Sequence, residues 1–214
     1  MQTLLETSNL VLFFSLPFKP VGKVNFFFNG HIACALDGVV YQIVNPYLLK
    51  TDFLLSIMPV RSWLFGSGGK WVDRDPASPS YRHVYLYRKS ESTRTVIYGA
   101  GISLEKAHVA AIRDRFLRED QRFRDGATRY DFFRYNCASI IADALCGNGL
   151  AGTNPLNSVP SIFFRRFTTR HRGAATVARV DCYDRERFAV RRFCLGLGGN
   201  PHRTMERWAT GLDR

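Results

Sequence analysis

Gly30-His-Ile-Ala-Cys-Ala-Leu-Asp-Gly-Val-Val-Tyr-Gln-Ile-Val44 sets the dipeptide Asp37-Gly38 between two apolar runs. Asp-Gly suits a two-residue hairpin turn, because both central positions of that turn need positive φ. The stretch therefore predicts two antiparallel strands. Leu36 then faces Val39, Ala35 faces Val40, Cys34 faces Tyr41 and Ala33 faces Gln42. Side chains alternate along a strand. One face carries Ile32, Cys34, Leu36, Tyr41 and Ile43 and reads as packed core. The other carries His31, Ala33 and Ala35, with Gln42 a diagonal neighbour of His31. A glutamine oxygen placed there accepts from one imidazole nitrogen and leaves the other free for chemistry. The small Ala33 and Ala35 predict close approach of another element, expected to be the helix that carries Cys137.

Working outward, residues 8–18 and 21–28 read as strands broken by Pro17, Pro20 and Gly22. Residues 45–80 read as irregular, with Asn45-Pro46, Gly66-Ser-Gly-Gly69 and scattered Trp63, Phe65 and Trp71. Residues 81–88 alternate like a strand, and 93–98 suggest another. Ser103 is expected to cap a helix running to about Asp120, with Glu105 in its first turn. A further helix follows Asn136 and is stopped by Gly147-Asn-Gly149 and Pro155. Residues 160–214 are basic, with a short helix or turn near Ser161–Phe167 and strands within 177–194. Strands and helices in this mixture predict an α+β class.

Tyr130-Asp-Phe-Phe-Arg-Tyr-Asn-Cys-Ala-Ser-Ile-Ile-Ala-Asp-Ala-Leu145 puts a cysteine directly after an aromatic run and a good N-cap, Asn136. Cys137 is then the first helical residue, where unpaired N–H groups and the positive end of the helix dipole favour thiolate. The alternative is a small buried hydrophobe. The cysteine count of 5 is odd, and no pair has metal-type C-x-x-C spacing, so neither a metal site nor a disulfide framework is expected, and no cofactor. Cys146 lies about two and a half turns further along and faces away. The register puts Cys34 in the core.

A catalytic thiol needs a base and usually a third group to orient it. Among the histidines, His31 is the best placed, through Gln42. His83 shares a strand face with Tyr81, Tyr85 and Tyr87, His108 reads as core edge, and His171 and His202 read as surface.

Together these residues resemble the NlpC-type branch of the papain-like cysteine hydrolases, and within it the circularly permuted members, the YiiX-like and lecithin retinol acyltransferase-like proteins. The resemblance rests on Gly30-His31, Asp37-Gly38, Gln42 and the Tyr130 to Asn136-Cys137 segment, in that order. Asn154-Pro155 and Val159-Pro-Ser161-Ile-Phe163 also resemble the Pro-containing start that follows in the family. It covers about residues 25–45 and 128–165. Gln42 stands where histidine or asparagine is also common. The resemblance implies a papain-like antiparallel sheet packed on the nucleophile helix. The catalytic domain would be 1–165, with an insertion at about 45–125 and a basic extension over 166–214 packed on it. It implies Cys137 as nucleophile, His31 as base and Gln42 as orienting residue. Tyr130 and Asn136 would support the substrate or oxyanion, although aromatic packing is the favoured role for Tyr130, as for Tyr135.

The net charge of +12, from 30 Lys+Arg against 18 Asp+Glu, favours an anionic partner. Leu10–Phe18 is apolar but too short to span a membrane, and no positive charge precedes it as in a signal peptide. The expectation is a hydrolase, an amidase or endopeptidase, acting on peptidoglycan stem peptides. It would be an antibacterial effector delivered to a target periplasm by a secretion system such as type VI, with an immunity protein as partner. Alternatives are a lipid acyltransferase or thioesterase, whose membrane-facing segment would be Leu10–Phe18 or Tyr47–Phe53, and a protease acting on host proteins. Nucleic acid is not the expected partner; that option rests on Arg165–Arg172 with Phe163, Phe164 and Phe167 beside it.

Overall fold

Leu-Val-Leu-Phe-Phe-Ser, at residues 10–15, is apolar up to its last residue, and every position is buried. A continuous apolar run of this kind is the mark of a strand covered on both faces. The computed structural model describes residues 2–15, 30–49, 51–65 and 96–181. The strands expected at 21–28 and 81–88, together with Trp71, His83, Cys182, Cys194, His202 and the chain beyond 181, lie outside the described residues.

The elements in chain order are α1 (Gln2–Thr7), β1 (Leu10–Ser15), β2 (His31–Leu36), β3 (Val39–Ile43), α2 (Pro46–Leu49), β4 (Leu55–Pro59) and α3 (Val60–Phe65). They continue with β5 (Val96–Ile102), α4 (Lys106–Arg124), α5 (Cys137–Cys146), a 3-10 turn (Pro155–Ser158), α6 (Pro160–Arg170) and β6 (Thr176–Asp181). The fold is α+β. Among the described residues, six strands form one sheet in the order β4-β3-β2-β1-β5-β6, and each neighbouring pair is antiparallel.

The β2–β3 hairpin has the expected register: Cys34 opposite Tyr41, Ala35 opposite Val40 and Leu36 opposite Val39. Its turn residues hold positive φ, 48° at Asp37 and 77° at Gly38. Gly30, just before β2, also has positive φ, 76°, and a Cβ there would lie 2.5 Å from the Ser15 carbonyl oxygen. Only glycine enters the strand this way.

The pleat divides the core in two. Leu12, Phe14, Ile32, Cys34, Tyr41 and Ile43 pack with residues of α4, α5 and α6. Phe14 stacks on Phe164 and Tyr41 on Phe116, at 5.5 Å and 5.6 Å between centroids. Phe13, Ala33, Ala35, Val40 and Met58 pack with Leu4 of α1 and with Val60, Trp63 and Leu64 of α3. Trp63 stacks on Phe13 at 5.0 Å. The small Ala33 and Ala35 thus face the cluster that holds this indole. The helix that carries Cys137 was expected on that face and lies on the other one, which offers the larger side chains.

The stretch 45–80, expected to be irregular, contains β4 and α3, and 45–125 as a whole supplies β4, β5 and α4 to the sheet and its layers. α6 runs through residue 165 unbroken, and β6 extends the same sheet. Ser103 is not the helix cap. Its hydroxyl donates to the Thr7 carbonyl at 2.7 Å, and α4 begins after Glu105 with no side-chain cap. Asp120 of α4 accepts from the Leu54 and Leu55 N–H groups at 2.7 and 2.9 Å, anchoring the start of β4.

Candidate active site

Asn136 starts α5 by using all four hydrogen-bonding positions of its amide. Its Oδ1 accepts from the N–H groups of Ala138 and Ser139 at 2.9 and 3.1 Å. Its Nδ2 donates to the carbonyls of Phe132 and Ser158 at 2.7 and 2.9 Å. Ser139 closes the capping box by accepting the Asn136 N–H at 2.9 Å. Asn136 is buried. Expected as a substrate or oxyanion donor, it has no donor left for that task; it fixes where the helix begins. The Ser158 bond also joins the helix start to the 3-10 turn.

The residues before Asn136 form a tight turn. Asp131 and Tyr135 exchange backbone hydrogen bonds, both 2.9 Å. The Asp131 carboxylate accepts from the N–H groups of Arg134 and Phe133, which hold it below the usual carboxylate range. The Tyr135 hydroxyl donates to Glu119, a buried carboxylate on α4 that also pairs with Arg115 and Arg122 at 3.0 and 3.1 Å. Burial and that bond push the Tyr135 phenol up to about 12. Phe133, at the turn, is 74% exposed.

This cap and turn place Cys137 as the first residue of α5, buried against β2. Two effects oppose each other at its sulfur. Burial pushes the thiol up to about 11. The backbone N–H groups of Ile32, Ala138 and Cys137 itself pull it down and lose to burial. A poised thiolate was expected from the helix N-terminus; the resting group is a thiol instead, because desolvation outweighs the N–H groups. The N–H groups that pull the thiol down come from α5 and β2 together. Tyr130 is a neighbour: burial raises its phenol strongly, and the Cys137 charge adds to the rise.

His31 opens β2, one residue before Ile32. Period-two alternation puts its position on the face of Ala33 and Gln42, as expected for that pair. Gln42, however, belongs to the Trp63 side of the sheet, and its Oε1 accepts the Trp63 indole N–H at 2.7 Å. The expected triad is therefore split by the pleat: Gln42 and the His31 position on one face, Cys137 on the other. Trp63 was visible in the sequence as one of several scattered aromatics, but nothing there marked it as a partner for Gln42.

Of the other cysteines and histidines, Cys34, Cys146, His108 and His171 are among the described residues. Cys34 is fully buried, and burial alone drives its thiol strongly upward. Cys146 ends α5, partly covered, with its thiol raised by burial and then by Asp143. His108 is exposed. His171, expected at the surface, packs on Phe167 at 4.6 Å and holds the Leu150 carbonyl at 2.8 Å. No group of His, Cys, Asp and Glu among the described residues is arranged to hold a metal ion. No helix among the described residues is long and apolar enough to cross a membrane. Comparison of the chain with protein-family models, with curated proteins and with solved structures finds no match.

Proposed function

We propose that the protein is a thiol-dependent hydrolase of the papain-like, permuted NlpC type, with Cys137 as its nucleophile. The observation that carries this is the surroundings of the sulfur: a capped helix start, three backbone N–H groups, and a neighbouring phenol. In the reaction the thiol loses its proton to a base as it attacks an amide carbonyl. Backbone N–H groups at the helix start then take the charge that develops on the carbonyl oxygen. A thioester forms, the amine leaves with the proton, and water releases the acid. His31 enters this proposal as the base through the family resemblance and not through the sheet, whose pleat sets its position on the face opposite Cys137. Gln42 orients it in this scheme. A His31→Ala variant that keeps full turnover moves the base elsewhere.

The substrate class we assign is the peptide stem of peptidoglycan, which is anionic and suits a chain of net charge +12. Delivery as a secreted antibacterial toxin, with an immunity protein as partner, belongs to the same proposal. Of the two segments of the lipid reading, Leu10 to Phe14 are buried in β1 and Phe53 is buried, whereas Tyr47 is exposed and residues 16–18 lie outside the described residues. The nucleic-acid reading loses its stacking platform, since Phe163, Phe164 and Phe167 are all core residues.

The test is digestion of purified peptidoglycan by the wild type and by Cys137→Ala, with vesicles of ester lipids and an unfolded protein in parallel. The proposal expects soluble stem-peptide fragments from the wild type alone, with matching circular dichroism for both proteins. Equal fragment release by Cys137→Ala contradicts it, and lipid or protein cleavage in place of wall cleavage replaces the substrate.

A further inference from the structure

Glu119 is a charged residue in a buried place: it lies on α4 and is 3% exposed. Arg115 and Arg122 pair with it at 3.0 and 3.1 Å from the same helix, and their own side chains are half-exposed. Arginines at these spacings reach an exposed glutamate equally well, so they do not account for its burial. A buried carboxylate is costly unless it is paired and hydrogen-bonded. What the buried position adds is the Tyr135 hydroxyl, which donates to Glu119 Oε2 from 16 residues away.

Tyr135 closes the turn that directly precedes the thiol. Its N–H and carbonyl bond those of Asp131, both at 2.9 Å, and the Asp131 carboxylate accepts from the Phe133 and Arg134 N–H groups at 2.8 Å each. These bonds are local: they stiffen the turn but do not place it on the rest of the molecule. Tyr130, whose phenol neighbours the Cys137 sulfur, comes just before this unit, and Asn136, the helix cap, comes just after it. The turn therefore sets phenol and sulfur relative to one another, and the Glu119 bond ties the turn to α4.

We propose that Glu119, acting through the Tyr135 hydroxyl, is a positioning residue for Cys137: it clamps the 131–135 turn to α4 and so holds the sulfur against β2 and beside the Tyr130 phenol. Its catalytic sense rests on Cys137 being the nucleophile; the clamp itself does not. Without the clamp the turn and the first residue of α5 lift from β2. The sulfur then meets water and leaves the line of attack on a bound carbonyl.

The test uses the full chain. Tyr135→Phe and Glu119→Ala remove the clamp, and Glu119→Gln keeps an oxygen for the phenol. Val109→Ala is the control: Val109 is buried on α4, about 15 Å before Glu119 along the helix, so its loss weakens the same layer away from the turn. Iodoacetamide alkylation of Cys137 is followed against pH where every variant is folded, beside kcat and KM on peptidoglycan fragments. Both clamp variants alkylate at least about tenfold faster at pH 8, the opening that follows loss of a hydrogen bond to a charged group. The midpoint of the profile falls from about 11 toward the ordinary 9.0. Their kcat falls at least about tenfold while KM holds. Glu119→Gln keeps the wild-type profile, and Val109→Ala leaves profile and kcat unchanged. The proposal is overturned if Tyr135→Phe keeps the wild-type profile and kcat, or if Val109→Ala moves both as far, which makes the effect one of general stability. If Glu119→Ala does not fold, Tyr135→Phe decides. A wild type without turnover, beside shifted alkylation in the clamp variants, refutes the nucleophile and leaves the clamp standing.

Discussion

Replacing Asn136 with alanine removes the capping acceptor and both tethers at once. Loss of an N-cap oxygen costs about 1 kcal/mol. The two donors to Phe132 and Ser158, at 2.7 and 2.9 Å, add about 1 kcal/mol each at the net value of a hydrogen bond. The sum is about 3 kcal/mol, which for a chain of this length lowers Tm by about 6–12 °C. Urea denaturation followed by circular dichroism reads the free energy, and a thermal scan reads the shift. Asn136→Asp separates the contributions. It keeps an acceptor, now anionic at a helix N-terminus where charge is favourable, but sets a second carboxylate oxygen against the two carbonyls. It should fall between wild type and alanine. A cost under about 0.5 kcal/mol for alanine, the range of an uninvolved surface change, refutes the reasoning. So does an aspartate variant as stable as the wild type, because the tethers would then contribute nothing.

Iodoacetamide alkylation of Cys137, followed by peptide mass spectrometry, should keep accelerating up to about pH 11; a plateau by pH 9 contradicts the burial argument. The same shift bears on stability. Below the ordinary thiol value of 9.0 both states hold the proton, and between 9.0 and about 11 only the unfolded thiol ionises, so stability falls across that window by an amount Cys137→Ala lacks. Tyr135→Phe takes one partner from the buried Glu119 carboxylate and should cost about 1–3 kcal/mol in urea unfolding; no change would mean the arginines alone satisfy that carboxylate. Phe133→Ala, at the exposed turn before the thiol, should leave stability within about 0.5 kcal/mol. In the hydrolase reading it raises KM while kcat holds; unchanged kinetics would remove Phe133 from the substrate path.

The hairpin was readable because Asp37-Gly38 permits one tight turn, and that turn fixes every later pair on β2 and β3. The start of α5 was readable because Asn136 acts locally, through N–H groups two and three residues on. β4 was hidden. Leu55–Pro59 is short, ends in proline and lies at the sheet edge, where proline is tolerated and alternation is weak. Ser103 looked like a cap but is drawn to the Thr7 carbonyl, 96 residues away in sequence, a tertiary contact that no local pattern carries. The choice of face for α5 was equally hidden, since both faces of β2 are apolar after His31. What decides it is the company each face keeps: Trp63 shares a cluster with the alanines, and the α5 residues share one with Ile32, Cys34 and Leu36. That one choice turns the expected arrangement of thiol, base and orienting amide into the split one.

The central claim is that the Cys137 sulfur forms a covalent bond with its substrate. Acid-quenching the wild type during turnover on peptidoglycan fragments, and measuring intact protein mass, tests it directly. The account predicts a mass increase equal to the acyl part of the cleaved peptide, mapped to Cys137 after digestion and absent in Cys137→Ala. Turnover by Cys137→Ala at the wild-type rate, or an adduct mapped to another residue, contradicts it.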